Sequence, residues 1–298
     1  MSEVYATPSP SVTGSAAAFS RNNYGAHAGG PNAQRAGAVF PGSAFPILSV
    51  RQIEKVFGTR DSITHALAGV SFDVESGEFI GIMGPSGSGK TTLLNCVSTI
   101  DKPTGGHILV GGRDITGLTK RQLAKFRRDD LGFIFQESNL LDTLTGYENI
   151  ALALTIKHEP TSGIPARVEA IAKSLSVEGV LKKYPYQMSG GQRQRVAAAR
   201  AIVSDPKLVL ADEPTGALDS RNAQIMLETL ELMNQQMGAT IMMVTHDAFA
   251  ASFTNRVLFI KDGTLFNEIR KGDTTREQFF SRIMEVVAFL SGEANHAA

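Results

Sequence analysis

Gly84-Pro85-Ser86-Gly87-Ser88-Gly89-Lys90-Thr91-Thr92 follows the apolar run Phe79-Ile80-Gly81-Ile82-Met83 and precedes Leu93-Leu94-Asn95. The order is strand, glycine turn, helix start, and the pattern is G-x-x-x-x-G-K-[ST]. Glycine has no Cβ, so backbone N–H groups can converge on one point. Those donors and the positive end of the following helix make a cradle for polyphosphate. The expected cradle is Gly84, Ser86, Gly87, Ser88, Gly89, Lys90, Thr91 and Thr92. In it Lys90 reaches the β- and γ-phosphates, and the Thr91 hydroxyl holds Mg²⁺.

Outward from this loop, apolar strands alternate with helices. Ile47–Val50, Gly69–Val74, Phe79–Met83, His107–Val110, Leu131–Phe135, Lys207–Ala211, Ala239–Val244 and Val257–Ile260 read as strands. Lys120–Asp129, Tyr147–Lys157, Pro165–Leu175, Gln192–Ile202 and Arg221–Gln236 read as helices. Strands that are apolar throughout and separated by helices predict an α/β domain with a largely parallel sheet covered on both faces. The stretch from Gln136 to Gln187 lacks a strand pattern and reads as an inserted helical lobe. Residues 1–46, rich in Ser, Ala, Gly, Pro and Asn, read as a disordered tail. Phe279, Phe280, Ile283, Met284, Val286, Val287 and Leu290 form an apolar helical stripe. Packing on the chain's own core is the plainer reading of that stripe, and a docking face for a partner is the sharper one.

Composition excludes several classes. Lys+Arg and Asp+Glu are both 29, so there is no global basic field to attract nucleic acid. Cys96 is the only cysteine, which rules out an internal disulfide framework and a multi-cysteine metal site. It reads as a packing residue. No apolar run approaches the ~20 residues a spanning helix needs, and the N-terminus lacks an export signal design, so any membrane span is expected from a separate protein.

Two further segments carry chemistry. Leu208-Val209-Leu210-Ala211 runs straight into Asp212-Glu213. At a strand end, Asp212 can hold Mg²⁺ and Glu213 can activate water as a general base. Met188-Ser189-Gly190-Gly191-Gln192 opens a second helix, with Ser189 as a good N-cap. This is either a plain capping loop or a second anion cradle. One nucleotide needs one cradle, so the second makes sense if it closes over the γ-phosphate held by another copy of the chain.

In these segments, in this order, the chain resembles the ATPase subunit of an ATP-binding-cassette (ABC) transporter over roughly Leu48 to Gly263. The resemblance implies an ABC-type P-loop NTPase fold: a mostly parallel core sheet, an antiparallel β subdomain and a helical subdomain inserted at about 137–190. The ATPase domain would cover 47–272, with a C-terminal amphipathic helix and tail over 273–298. It implies ATP and Mg²⁺ as ligands, and a role for each matching position. Phe57 stacks on adenine, where the family more often has Tyr. Gln136 contacts Mg²⁺ or its water and links to the transmembrane partner. Ser189, Gly190, Gly191 and Gln192 match the signature loop, with Met188 in place of the commoner Leu. Asp219 matches the D-loop and His246 the switch histidine. Glu213, His246 and Gln136 would carry catalysis, and Thr91, Gln136 and Asp212 the metal. A simple P-loop kinase would leave Ser189–Gln192 unexplained. Soluble cassettes of translation usually carry two cassettes or long coiled coils, which this chain lacks.

The longer segments Glu137–Thr145 and Ala211–Ser220 are similar to the group containing lipoprotein-release, macrolide-export and bacitracin-type peptide transporters. Leu141–Thr145, Val257–Gly263 and Phe279-Phe280 look most like the bacitracin-type subgroup. That implies a separate integral membrane permease, a second copy of this chain as an ATP-sandwich dimer, and a location at the cytoplasmic face of the cell membrane. The alternative is an ATP-gated dimeric clamp signalling to a membrane partner without transport, as in cell division.

Overall fold

The computed structural model describes residues 46–59 and 62–292. Apart from Pro46, the expected tail over 1–46 lies outside the described residues. In chain order the elements are β1 (Leu48–Thr59), β2 (Ser62–Val74), β3 (Phe79–Met83), α1 (Lys90–Val97), β4 (Gly105–Val110), β5 (Arg113–Asp114), α2 (Lys120–Asp130) and β6 (Leu131–Ile134). Then come α3 (Gly146–Ile156), α4 (Ile164–Ser174), α5 (Gly190–Ile202), β7 (Leu208–Asp212), α6 (Ser220–Met237) and β8 (Ile241–Val244). The last are α7 (Ala248–Ala251), β9 (Arg256–Lys261), β10 (Thr264–Arg270) and α8 (Arg276–Leu290).

Two sheets result. The central one has the order β10-β9-β3-β8-β7-β6, parallel from β9 to β6 and antiparallel at β10. The other is antiparallel throughout, in the order β2-β1-β4-β5. Side chains alternate across a strand, so one apolar run serves two cores. In β7, Val209 and Ala211 pack with α5 and α6 residues such as Val196, Leu227 and Leu230. Leu208 and Leu210 pack on the other face, with Leu93 and Val97 of α1 and Val50 and Ile53 of the antiparallel sheet. This two-sided covering is why the strands read as continuously apolar.

The structure corrects two strand readings and adds two strands, the two-residue β5 and the edge strand β10. Ile47–Val50 and Gly69–Val74 are parts of a much longer hairpin, β1 with β2. Its outer part alternates exposed polar residues with the pairing, and the register shifts after Val50, where Gln52 takes a positive φ of 48°. Such a bulge breaks the period that marks a strand. β10 was not expected, because its residues are mostly exposed and it lies at the sheet edge. Its signal was the Asp262-Gly263 turn, with φ of 50° and 73°, which is hairpin chemistry.

Between β6 and α5 the chain is helical, with α3, α4 and three short 3-10 turns. Both helices start with identifiable devices. Thr145 and Glu148 form a reciprocal capping box on α3, and Pro165 occupies the first turn of α4. Among the described residues no helix is long and apolar enough to cross a membrane. The first half of α8 packs on the chain's own core, with Phe279 and Ile283 fully buried against Met83, Val257 and Phe259. Burying each is worth about 1.5–3 kcal/mol.

Candidate active site

The glycine loop spans the gap between the end of β3, a central strand, and α1. Gly84 and Gly89 take φ of 151° and 105°. A Cβ on Gly84 would lie 2.0 Å from the Ile260 carbonyl oxygen, and one on Gly89 would lie 2.3 Å from that of Ala66. Conformation and close backbone approach both require glycine there. Gly89 precedes α1 without any side-chain cap, so the first N–H groups of that helix have no side-chain acceptor. Lys90 is buried, and its Nζ donates to the carbonyls of Gly84 (2.9 Å) and Pro85 (2.8 Å). Burial holds its pKa below the ordinary lysine value, against the raising effect of Glu213 and Asp212.

A cavity of about 490 Å³ lies over this loop, within the range of ligand pockets. Gly84, Ser86, Gly87, Lys90, Thr91, Glu213 and His246 all line it. Those seven come from three segments that sheet order brings together. β8 lies between β3 and β7, so the ends of β3, β8 and β7 stand side by side. Asp212 ends β7 opposite Val244 of β8. Glu213 then turns the chain with φ 47°, a left-handed conformation that costs a non-glycine residue about 1–3 kcal/mol. Its N–H donates to the Val244 carbonyl at 2.9 Å. The strained turn leaves Glu213 Oε1 2.9 Å from Nδ1 of His246, which follows β8. Asp212 is pushed above the usual carboxylate range, by burial first and then by Glu213, with Lys90 opposing.

The other expected positions do not line this cavity. Phe57 is exposed on β1, with Lys55 Nζ 4.7 Å above its ring. Gln136 and Gly190 line a separate cavity of about 390 Å³. The amide of Gln136 lies against Gly216, where a Cβ would come within 2.8 Å of it. Ser189 and Gln192 form a reciprocal capping box on α5: the Ser189 hydroxyl accepts from the Gln192 N–H, and the Gln192 amide oxygen accepts from the Ser189 N–H. Asp219 caps α6, and its bonds from Asn222 hold its carboxyl below the usual range. Gly191 packs directly on Asn222. Ser189–Gln192 and Asp219, the positions expected for the signature and D-loop, thus sit together, away from the P-loop cavity.

Sequence reasoning missed Gln194. It is buried, and its Nε2 donates to the carbonyls of Phe135 (2.9 Å) and Gln136 (2.6 Å). Arg200 adds bonds to the carbonyls of Ser138 and Asn139. One helix, α5, therefore carries Ser189–Gln192 at its start and grips the segment around Gln136 along its side. The available signal was a polar residue on the apolar face of α5. Also missed were Val287, Leu290 and Ser291, which line the P-loop cavity from the end of α8.

Phosphate donors at the end of a parallel strand, with carboxylates two strands away, are the design of a P-loop nucleoside triphosphatase. Comparison with known proteins narrows that class. The family model described as ABC transporter matches residues 67–216, and the chain belongs to this family as an ATP-binding, ATP-hydrolysing subunit. It is 49% identical over 249 residues to the ABC transporter ATP-binding protein YxdL of Bacillus subtilis, covering 84% of this chain and 96% of that one. It is 48% identical over 249 residues to the bacitracin export ATP-binding protein BceA of Halalkalibacterium halodurans, covering 84% and 98%. Among solved structures it is similar to the dimeric post-hydrolysis state of the MJ0796 cassette with ADP and Pi, a protein of Methanocaldococcus jannaschii. That match has 37% identity, a TM-score of 0.68, and covers 75% of this chain and 98% of that one.

Proposed function

We propose that this subunit hydrolyses ATP between two copies of itself to drive a separate membrane permease in antimicrobial-peptide resistance or export. The observation that carries the reading is the split site. Lys90, Thr91, Glu213 and His246 share one cavity, whereas Ser189–Gln192 and Asp219 stand off it. A head-to-tail pair of chains would bring the two halves together, each ATP lying between one copy's P-loop and the other's signature loop.

In this reading Lys90 and the uncapped start of α1 hold the phosphates, with Ser86, Ser88 and Thr92 in the same loop. Phe57 offers an aromatic face to adenine. Glu213 orients water for in-line attack on the γ-phosphoryl and accepts its proton, and His246 holds the Glu213 carboxylate in place. Oxygen donors suit Mg²⁺: the Thr91 hydroxyl on the cavity wall, the Asp212 carboxylate at the end of β7, and the Gln136 amide in the closed dimer. Bound there, the ion would neutralise charge on the phosphates. Glu213→Gln is expected to bind ATP and lose turnover. Unimpaired hydrolysis by that variant refutes the base assignment.

The permease has a fitting surface. A groove lined by Arg127, Arg128, Phe133, Leu152, Ile156 and Arg200 lies where α2 and β6 meet the helical insert, with Ile156 half-exposed. It adjoins the segment after Gln136 that Arg200 and Gln194 hold, so a cytoplasmic helix seated there would press on the Gln136 segment. Attachment through this groove would hold the chain at the cytoplasmic face of the membrane. Peptide cargo rests on similarity to BceA, and the similarity of transporter subunits over most of the chain favours transport over a signalling clamp. Peptide-stimulated ATPase activity of the subunit with its permease in vesicles tests the cargo, and activity indifferent to peptides excludes it.

A further inference from the structure

The cavity over the P-loop has a wall that the ATPase mechanism does not use. α8 is fully buried only along its first half, at Phe279 and Ile283, while Val286, Val287 and Leu290 pack on the same cluster partly buried and Phe289 stacks on Phe266. Beyond Ile283 none of its residues is buried, and Met284 and Phe289 are 43% and 60% exposed. Its last turn still reaches the nucleotide cavity, where Val287, Leu290 and Ser291 face the same space as Lys90 and Thr91.

That turn offers a triphosphate little. Val287 and Leu290 are apolar. The Ser291 hydroxyl is occupied, donating to the Val287 carbonyl at 2.9 Å. The turn contains no basic residue. A helix also ends in the negative pole of its dipole, which repels an anion. The cavity therefore has a wall that attracts phosphate, the start of α1, and a wall that does not, the end of α8.

We propose that the last turn of α8 is an autoinhibitory element of the nucleotide site, displaced when triphosphate and the second copy's signature loop engage. The proposal rests on the ATP-sandwich reading above. The well-packed Phe279 and Ile283 stay in place, and the segment after Ile283 moves. Nucleotide occupancy is thereby coupled to the position of the chain's C-terminal end.

ATP affinity is compared in the Glu213→Gln background among the full chain, a chain ending at Val286, and Val287→Ala/Leu290→Ala, which keeps the helix. The truncation is expected to tighten ATP binding about three- to tenfold, the size of a helix-end charge interaction. The double alanine variant should move the same way by less. Unchanged or weaker binding in either folded variant overturns the proposal. Lys90→Ala is measured alongside. If the full chain binds no ATP that Lys90→Ala abolishes, the ATP-site reading itself fails. If it does and the two variants gain nothing, only the role of α8 fails. A dye on Ser291→Cys gives a second readout, since Cys96 is buried and its thiol pKa is pushed up to about 11. ATP should shift its emission toward that of a water-exposed dye, and an emission indifferent to ATP contradicts displacement.

Discussion

Two helices of this molecule begin with glycine-rich loops, and they begin in opposite ways. α1 starts at Gly89, in a left-handed conformation and without a side-chain cap. α5 starts at Ser189 in an extended conformation, with its N-terminal donors partly satisfied by the Ser189–Gln192 box. The first arrangement has no side-chain cap to surrender when an anion arrives, only the bonds of Lys90 Nζ to the Gly84 and Pro85 carbonyls. The second must give up a cap worth about 0.5–2 kcal/mol before its hydroxyl can turn to a phosphate. In the proposed ATP-sandwich dimer the difference would set an order: ATP would bind first at α1, and α5 would join only when a second chain offers it a triphosphate to replace the lost cap.

The largest expected effect removes turnover while keeping the ligand between the two helix starts. Glu213→Gln should lower the hydrolysis rate about 10²–10⁴-fold, measured by phosphate release, with ATP affinity retained. Rapid hydrolysis would mean that the Glu213–His246 pair is not the proton acceptor. Next is Lys90→Ala, which removes the cation of the α1 start. ATP affinity should fall by about 2–5 kcal/mol in equilibrium binding. An equal loss on altering Ser189 in an isolated monomer would erase the distinction between the two starts.

Glycine substitutions sharpen the contrast. Gly89→Ala places a Cβ 2.3 Å from a backbone oxygen at a φ of 105°, whereas Gly191→Ala meets the Asn222 side chain, which can move. Thermal unfolding should report about 2–3 kcal/mol lost for the first and about 1 kcal/mol for the second. A reversed ranking would show that the P-loop backbone is free to relax. The smallest effect is on caps. Ser189→Ala should cost about 1 kcal/mol of stability, and Ser86→Ala, exposed and capping nothing, within about 0.5 kcal/mol. Equal costs would show that the Ser189–Gln192 box contributes nothing.

Residue types at fixed spacing made the chemistry legible in sequence. Gly84–Thr92 after an apolar run specifies strand, loop and helix at once. Leu208–Glu213 does the same for the strand that ends in carboxylates. The sheet's parallel character was legible because buried strands are apolar on both faces. Other features depend on partners distant in the chain. The outer part of the β1–β2 hairpin carries charged residues such as Glu54 and Lys55, whose pairing depends on a bulge at Gln52. Gln194 is one of two glutamines on α5, and only the folded chain sets its amide against the carbonyls of Phe135 and Gln136. The positive φ of Glu213 follows from its bond to Val244 in a neighbouring strand, which no local pattern encodes. The stripe of α8 announced a helix but not that its end reaches the P-loop cavity.

The central claim is that the α5 start of one chain completes the α1 start of another. It is tested most directly by mixing a Ser86→Cys chain with a Ser189→Cys chain, both carrying Glu213→Gln, and oxidising with and without ATP. Both positions are exposed, and Cys96 is buried and protonated at neutral pH. The account expects a disulfide-linked pair that forms with ATP and not without it. A linked pair indifferent to ATP, or no pair at saturating ATP, would contradict it.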